Sequence, residues 1–226
     1  MNERTTNGKR KAVIAGVGPG NGMAIARRFA GAGYDLALLA RSKDKLKSYA
    51  RELSETAQKV KTVAVDFVDI EKTEKKVDEA VRKLGGVDVL VYNASIFREA
   101  TWREYPPSAL MEEVSIGAGG AYAAFRAAGR HMDAGGAIIA TGGGSAIHPE
   151  ELRAAPGLAV AKGALRNLIL ALHGPFADDG ILLSTLTIDG AVKEGTFFDP
   201  KNIADAVFAL SQTPRPQWRG EEVYAE

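Results

Sequence analysis

The segment that most constrains the fold is residues 15–22, AGVGPGNG, which places four glycines between a short apolar run, Ala12 to Ile14, and an amphipathic stretch, Met23 to Phe29. Because glycines let the backbone approach a pyrophosphate and a helix N-terminus offers unpaired N–H donors, the order strand, glycine-rich turn, helix is typical of a phosphate-binding turn. A flexible loop that binds nothing is the alternative. A second apolar run, Asp35 to Ala40, ends where the far end of a dinucleotide would lie, which favours nucleotide binding.

The composition sets further bounds. With 226 residues, of which 46% are hydrophobic and 25% charged, the chain fits one α/β domain over residues 1–226, and we expect residues 1–10 to be flexible. The 29 basic and 28 acidic residues leave a net charge of +1, which predicts no nucleic-acid partner and no membrane partner. The absence of cysteine excludes disulfides, thiolate metal sites and a cysteine nucleophile. No signal-peptide core or membrane-length apolar run is recognisable, so we expect a cytoplasmic protein.

Short apolar runs alternate with helical patterns along the chain. The periodicity predicts helices around Leu46 to Leu53 and Val77 to Leu84, the second ended by Gly85-Gly86, and a last helix that starts at Asp199-Pro200. This alternation predicts a single-domain, doubly wound parallel sheet of six or seven strands with helices on both faces. The predicted strands are Ala12 to Ala15, Asp35 to Ala40, Val60 to Val65, Val87 to Tyr92, Ala137 to Thr141 and Ile181 to Ile188.

Five motifs, in order and spacing, resemble the short-chain dehydrogenase/reductase family over almost the whole chain. They are Gly16-xxx-Gly20-x-Gly22, Asp66 after the third strand, Asn93-Ala94 after the fourth, Lys162 in a late helix and Gly220 to Tyr224 near the end. The resemblance implies a Rossmann-type sheet with the strand order 3-2-1-4-5-6-7 and a nicotinamide dinucleotide cofactor.

The family's site residues carry over position by position. The resemblance implies a pyrophosphate turn, contacts to the adenine and ribose, a lysine on the nicotinamide ribose, and a turn near the carboxamide, where this chain has Asp189-Gly190 in place of Pro-Gly. The predicted cofactor-binding residues are Gly16, Gly18, Gly20, Asn21, Gly22, Arg41, Ser42, Asp66, Phe67, Asn93, Ala94, Ser95, Lys162, Asp189 and Gly190.

The end of the second strand decides between the two nicotinamide cofactors. Ala40 stands where a relative that prefers NAD would carry aspartate. Arg41 can pair with the 2′-phosphate of NADP through a charge-assisted fork, and Ser42 can donate a further hydrogen bond. We therefore predict NADP(H); the alternative is that Arg41 is a solvated residue at a strand end.

The catalytic positions depart from the family pattern. The tyrosine that the family places four residues before the lysine is Leu158 here, and the variant spacing of enoyl reductases falls on Ala155. The serine aligns with Gly143 by strand position but with Ser145 by counting back from Leu158, so Ser145 is a candidate only if the loop is not lengthened. The asparagine that holds a relay water through a helix kink in relatives is Gly117. These features resemble an atypical branch without the usual tyrosine.

Other residues that could supply a proton are few. The candidate catalytic residues are Lys162, Ser145 and His148, whose imidazole titrates in the useful pH range; a solvent-exposed loop histidine is the alternative for His148. We expect Tyr92 and Tyr122 to pack in the core and Glu150 and Glu151 to start a helix. His131 and His173 have no ligand spacing with other metal-binding residues, so no metal is predicted.

Two functions are compatible with these residues. One is an NADP(H)-dependent oxidoreductase that acts on an apolar carbonyl or alcohol. The apolar substrate is suggested by Phe197-Phe198, which indicate an apolar pocket. The other is a catalytically silent NADP(H)-binding protein, such as a redox sensor or an assembly subunit. The resemblance also implies a homodimer or homotetramer formed by two long helices, about Ala109 to Met132 and Leu158 to Phe176. Small residues that would permit close helix approach, or close packing on the sheet, are Gly117, Gly119, Gly120, Ala123, Ala124 and Ala127.

Overall fold

A computed structural model describes residues 9–226 of the chain, so residues 1–8 of the predicted flexible segment lie outside the described residues. Arg10 anchors the start of the described part, since its guanidinium donates to Gln212 Oε1 at 2.5 Å and lies 4.9 Å from the centre of the Tyr34 ring. Residues 9–226 contain no helix with the length and hydropathy that crossing a bilayer requires.

One sheet of seven parallel strands forms the centre of the molecule, in the order β3-β2-β1-β4-β5-β6-β7. The predicted fold class and strand order are confirmed. The inner strands are mostly apolar because both of their faces are covered, although the sixth strand also buries Ser184, Thr185 and Thr187. The strands are β1 Lys11–Ala15, β2 Asp35–Ala40, β3 Val60–Ala64, β4 Val89–Tyr92, β5 Ala137–Thr141, β6 Leu182–Ile188 and β7 Glu221–Tyr224.

Helices cover both faces of the sheet. Helices α1, α2 and α7 pack on one face, and α3, α5 and α6 on the other. The helices are α1 Asn21–Gly31, α2 Lys43–Leu53, α3 Ile70–Leu84, α4 Pro107–Val114, α5 Ala121–Gly129, α6 Pro156–Asp178 and α7 Pro200–Ser211. Short 3₁₀ turns lie at Gly144–Ala146, Pro149–Glu151 and Arg215–Gln217.

Two predicted helix boundaries are confirmed with their chemistry. Gly85 ends α3 with a φ of +83°, a left-handed conformation that glycine adopts without strain. The Asp199 side chain accepts a hydrogen bond from the backbone N–H of Lys201, and Pro200 is the first residue of α7.

The helix predicted over Ala109 to Met132 is interrupted by a π-helical turn at Ser115–Gly120, between α4 and α5. Two contacts account for the difference. The Tyr92 hydroxyl donates to the main-chain oxygen of Ile116 at 2.7 Å, and a side-chain carbon at Gly117 would lie 2.6 Å from the main-chain oxygen of Ala161. The wider turn therefore lets α6 approach the chain at a residue without a side chain.

The other small residues in this region also have neighbours within the chain. Gly119 faces the Ile70 side chain and Gly120 faces the main-chain oxygen of Phe67, while Ala123, Ala124 and Ala127 are buried. Packing within one copy thus explains these residues, and self-association stays a prediction. Tyr92 is fully buried as predicted, but Tyr122 is 41% exposed because it lies on the outer face of α5. The prediction of a core position for Tyr122 is wrong.

Candidate cofactor and active site

The glycine turn between β1 and α1 contains two kinds of glycine. Gly16 has a φ of +92°, and a side chain there would collide with the main chain of Ala94. At Gly22, a side-chain carbon would lie 2.6 Å from the main-chain oxygen of Gly16. At Gly18 and Gly20, by contrast, it would meet no atom of the described chain within 4 Å. The fold therefore requires glycine at positions 16 and 22, whereas Gly18 and Gly20 leave space beside the turn for a ligand.

The start of α1 supports the same interpretation. Gly20 precedes this 11-residue helix and offers no side chain to cap its N–H groups, so the positive end of the helix dipole faces the open turn. Asn21 Oδ1 is buried and has no hydrogen-bond partner among residues 9–226. A hydroxyl or amide of a bound dinucleotide would satisfy this acceptor.

A first cavity, of about 270 Å³, lies beside this turn at the carboxyl ends of the strands. Arg41 and Asp66 border it as exposed charged residues, and Ser42 does not line it. The Ser42 hydroxyl caps α2 by accepting from the backbone N–H of Lys45 at 3.3 Å, which leaves its own proton to donate. The predicted residues that line this cavity are Gly16, Gly18, Arg41, Asp66, Phe67, Asn93, Ala94 and Ser95.

Asn93 connects three strand ends. Its Nδ2 donates to the main-chain oxygen of Gly16 at 2.9 Å, and its Oδ1 accepts from the Thr141 hydroxyl at 2.9 Å. The ends of β1, β4 and β5 are therefore tied together where ligands bind in doubly wound sheets.

A second, larger cavity of about 750 Å³ continues from the first, since Asn93 and Ser95 border both. The three candidate catalytic residues, Ser145, His148 and Lys162, all line it. The predicted cofactor residues Asn21, Asp189 and Gly190 also line it, and Leu158 contributes to its apolar wall. Thr141, Glu151 and Phe97 line the cavity as well. These three residues were not predicted from the sequence as part of the site, although Phe97 follows the Asn93 motif closely.

Lys162 is held at the junction of the sheet and α6. Its Nζ donates to the main-chain oxygen of Thr141 at 2.6 Å. The side chain is half-buried, and burial lowers the pKa of Lys162 to about 8. Its ammonium therefore releases a proton much more readily than that of a solvated lysine.

Ser145 lies near Lys162 even though the chain has glycine at position 143. A side-chain carbon at Gly143 would lie 3.8 Å from Ser145 Oγ and 3.6 Å from Lys162 Cγ. The Ser145 hydroxyl therefore lies close to position 143, with which the family's serine aligns by strand position. His148 is exposed at the rim of the cavity. The residues after it, Pro149–Glu151, form a 3₁₀ turn, so the helix start predicted at Glu150 and Glu151 is not observed.

In the segment after β6, Phe197 and Phe198 pack against Tyr224 instead of forming the predicted apolar pocket. Phe197 stacks on Tyr224 with ring centres 4.7 Å apart, and Phe198 packs against the same ring at 5.9 Å. Gly190 is required because a side chain there would collide with the Phe198 ring. Neither phenylalanine lines the cavity, so the expectation of an apolar pocket built from this pair is wrong. Across the described residues, His, Asp and Glu side chains form no group of three that could hold a metal ion.

The sequence pattern of the short chain dehydrogenase family matches residues 10–193. The chain belongs to this family. The match extends from the residue before β1 to the segment after β6, and so includes both cavities.

Curated relatives are similar over part of their length. An uncharacterized oxidoreductase of Mycobacterium tuberculosis is 36% identical over 94 residues, which cover 41% of this chain and 37% of the relative. The chain thus matches little more than a third of that relative's length. The galactitol 2-dehydrogenase (L-tagatose-forming) of Cereibacter sphaeroides is 30% identical over 185 residues, covering 77% of this chain and 68% of the relative.

Among solved structures, an alcohol dehydrogenase from the archaeon Thermococcus sibiricus, complexed with 5-hydroxy-NADP, is similar over 97% of this chain and 99% of its own, with 26% identity and a TM-score of 0.81. Further structures of this fold contain NADP or NADPH. The family and the fold therefore agree with the oxidoreductase class.

Proposed function

We propose that this short-chain oxidoreductase uses NADP(H) to interconvert an apolar carbonyl compound and its alcohol, since apolar side chains such as Phe97, Leu152 and Val192 line the larger cavity. The observation that carries the proposal is the continuity of the two cavities. They share Asn93 and Ser95 and run from Arg41 at one end to Lys162 at the other. An extended site of this kind accommodates an adenosine end and a reacting end.

The preference for NADP(H) is argued from the rim of the first cavity. Ala40 and Arg41 line it, and no ion pair engages Arg41 in the described part of the chain. Its guanidinium is therefore free to pair with a 2′-phosphate, and the Ser42 proton is available for the same anion. NADP and NADPH in similar structures support this assignment.

When bound, the reduced cofactor supplies the hydride for carbonyl reduction. The chain's residues would position the substrate oxygen and deliver the proton. Lys162 is the first candidate donor, because it lines the reacting cavity and its pKa is lowered to about 8 by burial. Ser145 can hold the substrate oxygen by a hydrogen bond, and His148 at the rim can exchange protons with solvent.

Leu158 distinguishes this chain from relatives that use a tyrosine four residues before the lysine. It lines the reacting cavity one helical turn before Lys162. An aliphatic side chain transfers no proton, so we propose that Lys162 acts without the usual phenol. Loss of the general acid is expected to lower the rate of carbonyl reduction by a factor of about 10² to 10⁴ without changing the affinity for the cofactor.

The test measures binding and turnover separately. Calorimetric titration should show NADPH binding at least tenfold tighter than NADH. Oxidation of NADPH should then be followed with a panel of apolar aldehydes and ketones, with Lys162→Ala as the comparison. Turnover that depends on Lys162 supports the proposal. Binding without turnover of any carbonyl would favour the silent NADP(H)-binding alternative, and no binding of either cofactor would exclude both. Cytoplasmic location and a homodimer or homotetramer stay predictions.

A further inference from the structure

The carboxylate of Asp189 is held at the larger cavity without a partner in the described part of the chain. Asp189 directly follows β6, and its backbone N–H donates to the main-chain oxygen of Tyr224 at 2.9 Å. The residue is partly buried and lines the cavity. Within residues 9–226 its carboxylate accepts no hydrogen bond and forms no ion pair. The main chain therefore fixes the position of a negative charge that no described group neutralises.

A neighbouring glycine makes room for this carboxylate. A side-chain carbon at Gly144 would collide with Asp189 Oδ1 and would lie 3.1 Å from Asp189 Cα. Gly144 begins the 3₁₀ turn Gly144–Ala146, whose second residue is Ser145. The carboxylate thus packs against the turn that carries the serine proposed to hold the substrate oxygen. A substrate group bound by Asp189 would therefore lie only a few bonds from the reacting carbon.

Lys162 does not neutralise Asp189, although both residues line the same cavity. The Lys162 ammonium donates instead to the main-chain oxygen of Thr141 at 2.6 Å. A carboxylate close to a lysine raises the pKa of that lysine, whereas burial alone lowers the pKa of Lys162 to about 8. The two charges therefore act separately within the cavity.

The charged groups of the larger cavity leave an excess of negative charge. Asp189 and the exposed Glu151 carry formal negative charges, and Lys162 carries the positive charge that opposes them. Asn21 adds its buried Oδ1, an acceptor that receives no hydrogen bond from residues 9–226. Acceptors and negative charge on the cavity wall favour a ligand that brings N–H donors and positive charge.

The chemistry of the carboxylate selects among the possible substrate groups. An apolar group that covers Asp189 removes water from the carboxylate and gives it no partner, and burial of an unpaired charge is costly. A hydroxyl offers a hydrogen bond but no charge. A protonated amine offers both, in a charge-assisted hydrogen bond. The apolar side chains of Phe97, Leu152 and Val192 accommodate the rest of such a compound.

We propose that Asp189 determines the specificity of the larger cavity by pairing with a protonated amino group of the substrate, which is then an apolar amino ketone or amino aldehyde and the corresponding amino alcohol. The inference rests on the proposed function and narrows its substrate class. In the reducing direction the carbonyl carbon accepts hydride from NADPH while the carbonyl oxygen takes a proton from Lys162. The C–N bond and the ammonium are unchanged, because the amino group serves only in binding.

The first test compares two alcohols in the complex of the wild-type protein with NADP⁺. At neutral pH, 2-amino-1-phenylethanol carries an ammonium group where 1-phenylpropan-1-ol carries a methyl group. Calorimetric titration should show the amino alcohol binding at least about tenfold more tightly, because it alone pairs with the Asp189 carboxylate. Equal affinities, tighter binding of 1-phenylpropan-1-ol or no detectable binding of the amino alcohol would overturn the proposal.

The second test removes the charge at position 189. Asp189→Asn keeps the size of the side chain, and it should bring the ratio of the two affinities down to about one. Glu194→Gln is the matched control, because this exposed acid lies in the same segment but does not line the cavity, and it should keep the wild-type ratio. Loss of the preference in Glu151→Gln but not in Asp189→Asn would contradict the assignment. The wild-type comparison decides the proposal even if Asp189→Asn does not fold.

NADPH titration of the same proteins separates this inference from the proposed function. A wild-type protein that fails to bind NADPH refutes the proposed function. A wild-type protein that binds NADPH but does not prefer the amino alcohol refutes the specificity of Asp189 alone. If Asp189→Asn keeps the preference and binds NADPH more weakly, the carboxylate contacts the cofactor and the inference is wrong.

Discussion

Asn93 donates a hydrogen bond of 2.9 Å from its side-chain amide to the main-chain oxygen of Gly16, joining the end of β4 to the glycine turn after β1. The same side chain accepts from Thr141 at the end of β5. The shape of the turn is therefore set by a residue far away in the sequence, and the two cavities share one structural support.

Replacing Asn93 by alanine should weaken both folding and binding. Loss of two partly buried hydrogen bonds is expected to lower the free energy of unfolding by about 1–3 kcal/mol, measured by urea denaturation. NADPH affinity, measured by calorimetry, should fall at least tenfold because Gly16 loses its support. Asn202→Ala is the control, since Asn202 donates to main-chain oxygens in an exposed loop. Equal effects of the two variants on NADPH affinity would contradict the role of Asn93.

Two glycine substitutions should separate the requirements of the fold from those of the ligand. Gly16→Ala forces a side chain onto the main chain of Ala94 at a positive φ, and it should destabilise the protein by about 2 kcal/mol or more. Gly18→Ala meets no described atom within 4 Å and should leave the thermal midpoint nearly unchanged while reducing NADPH affinity. If Gly18→Ala binds NADPH like the wild type, the ligand does not approach this turn.

Arg41→Asp should invert the cofactor preference. Removing a charge-assisted pair and adding a repulsion should weaken NADPH binding by 2 kcal/mol or more, on the basis of about 1.5–3 kcal/mol for the pair alone. NADH binding should be unchanged or improved. Arg51→Asp, an exposed arginine in the last turn of α2, serves as the control for net charge. Equal losses for both cofactors would show that Arg41 is not the selector.

Leu158→Tyr should restore a phenol one helical turn before Lys162, where the ammonium lowers its pKa. NADPH-dependent reduction of small apolar aldehydes or ketones should rise at least tenfold, and Gly143→Ser can be added to complete the site. Leu158→Phe controls for ring size without the hydroxyl. A slower Leu158→Tyr enzyme would mean that Leu158 lines the pocket of another donor, and Lys162→Ala and His148→Ala would then identify it.

Burial of Lys162 should also appear in the pH dependence of stability. Because its folded-state pKa, about 8, lies below the ordinary value of 10.5, the unfolded chain binds more protons between these pH values and stability rises with pH across that window. Lys162→Met should therefore raise the free energy of unfolding at pH 7 by about 1–3 kcal/mol. Denaturation at pH 7 and at pH 10.5 should show the gain shrinking as the wild-type amine becomes neutral. A gain that is independent of pH would contradict this account.

The sheet was predictable from sequence because its inner strands are mostly apolar runs, and Gly85 and Asp199-Pro200 carry local signals that do not depend on the rest of the chain. The π-helical turn could not be predicted, because it depends on a contact with the Tyr92 hydroxyl and on the approach of Ala161 to Gly117. Neither contact can be inferred from the helix propensity of the local sequence.

The residues of the candidate site likewise divide into those that the sequence reveals and those that depend on contacts in the folded chain. The glycine turn, Asn93 and Lys162 were predicted because their order and spacing resemble motifs of the family, and they line the two cavities. The buried position of Glu113, in the last turn of α4, was not predicted, although it lies in line with the buried Ala109 and Ile116, and this periodicity is the signal that could have revealed it. Its burial depends on Tyr105 from a preceding loop and on Gly157 from a later helix, which only the folded chain brings together.

The contact between Gly117 and Ala161 makes position 117 much less tolerant of a larger side chain than position 158. Leucine at 158 borders an open cavity, so a tyrosine can enter there in one substitution. An asparagine at 117 cannot, because its first side-chain atom would lie 2.6 Å from the Ala161 oxygen and α6 would have to move first. Larger side chains at the two positions therefore have different requirements, because only the one at 117 needs a shift of the backbone.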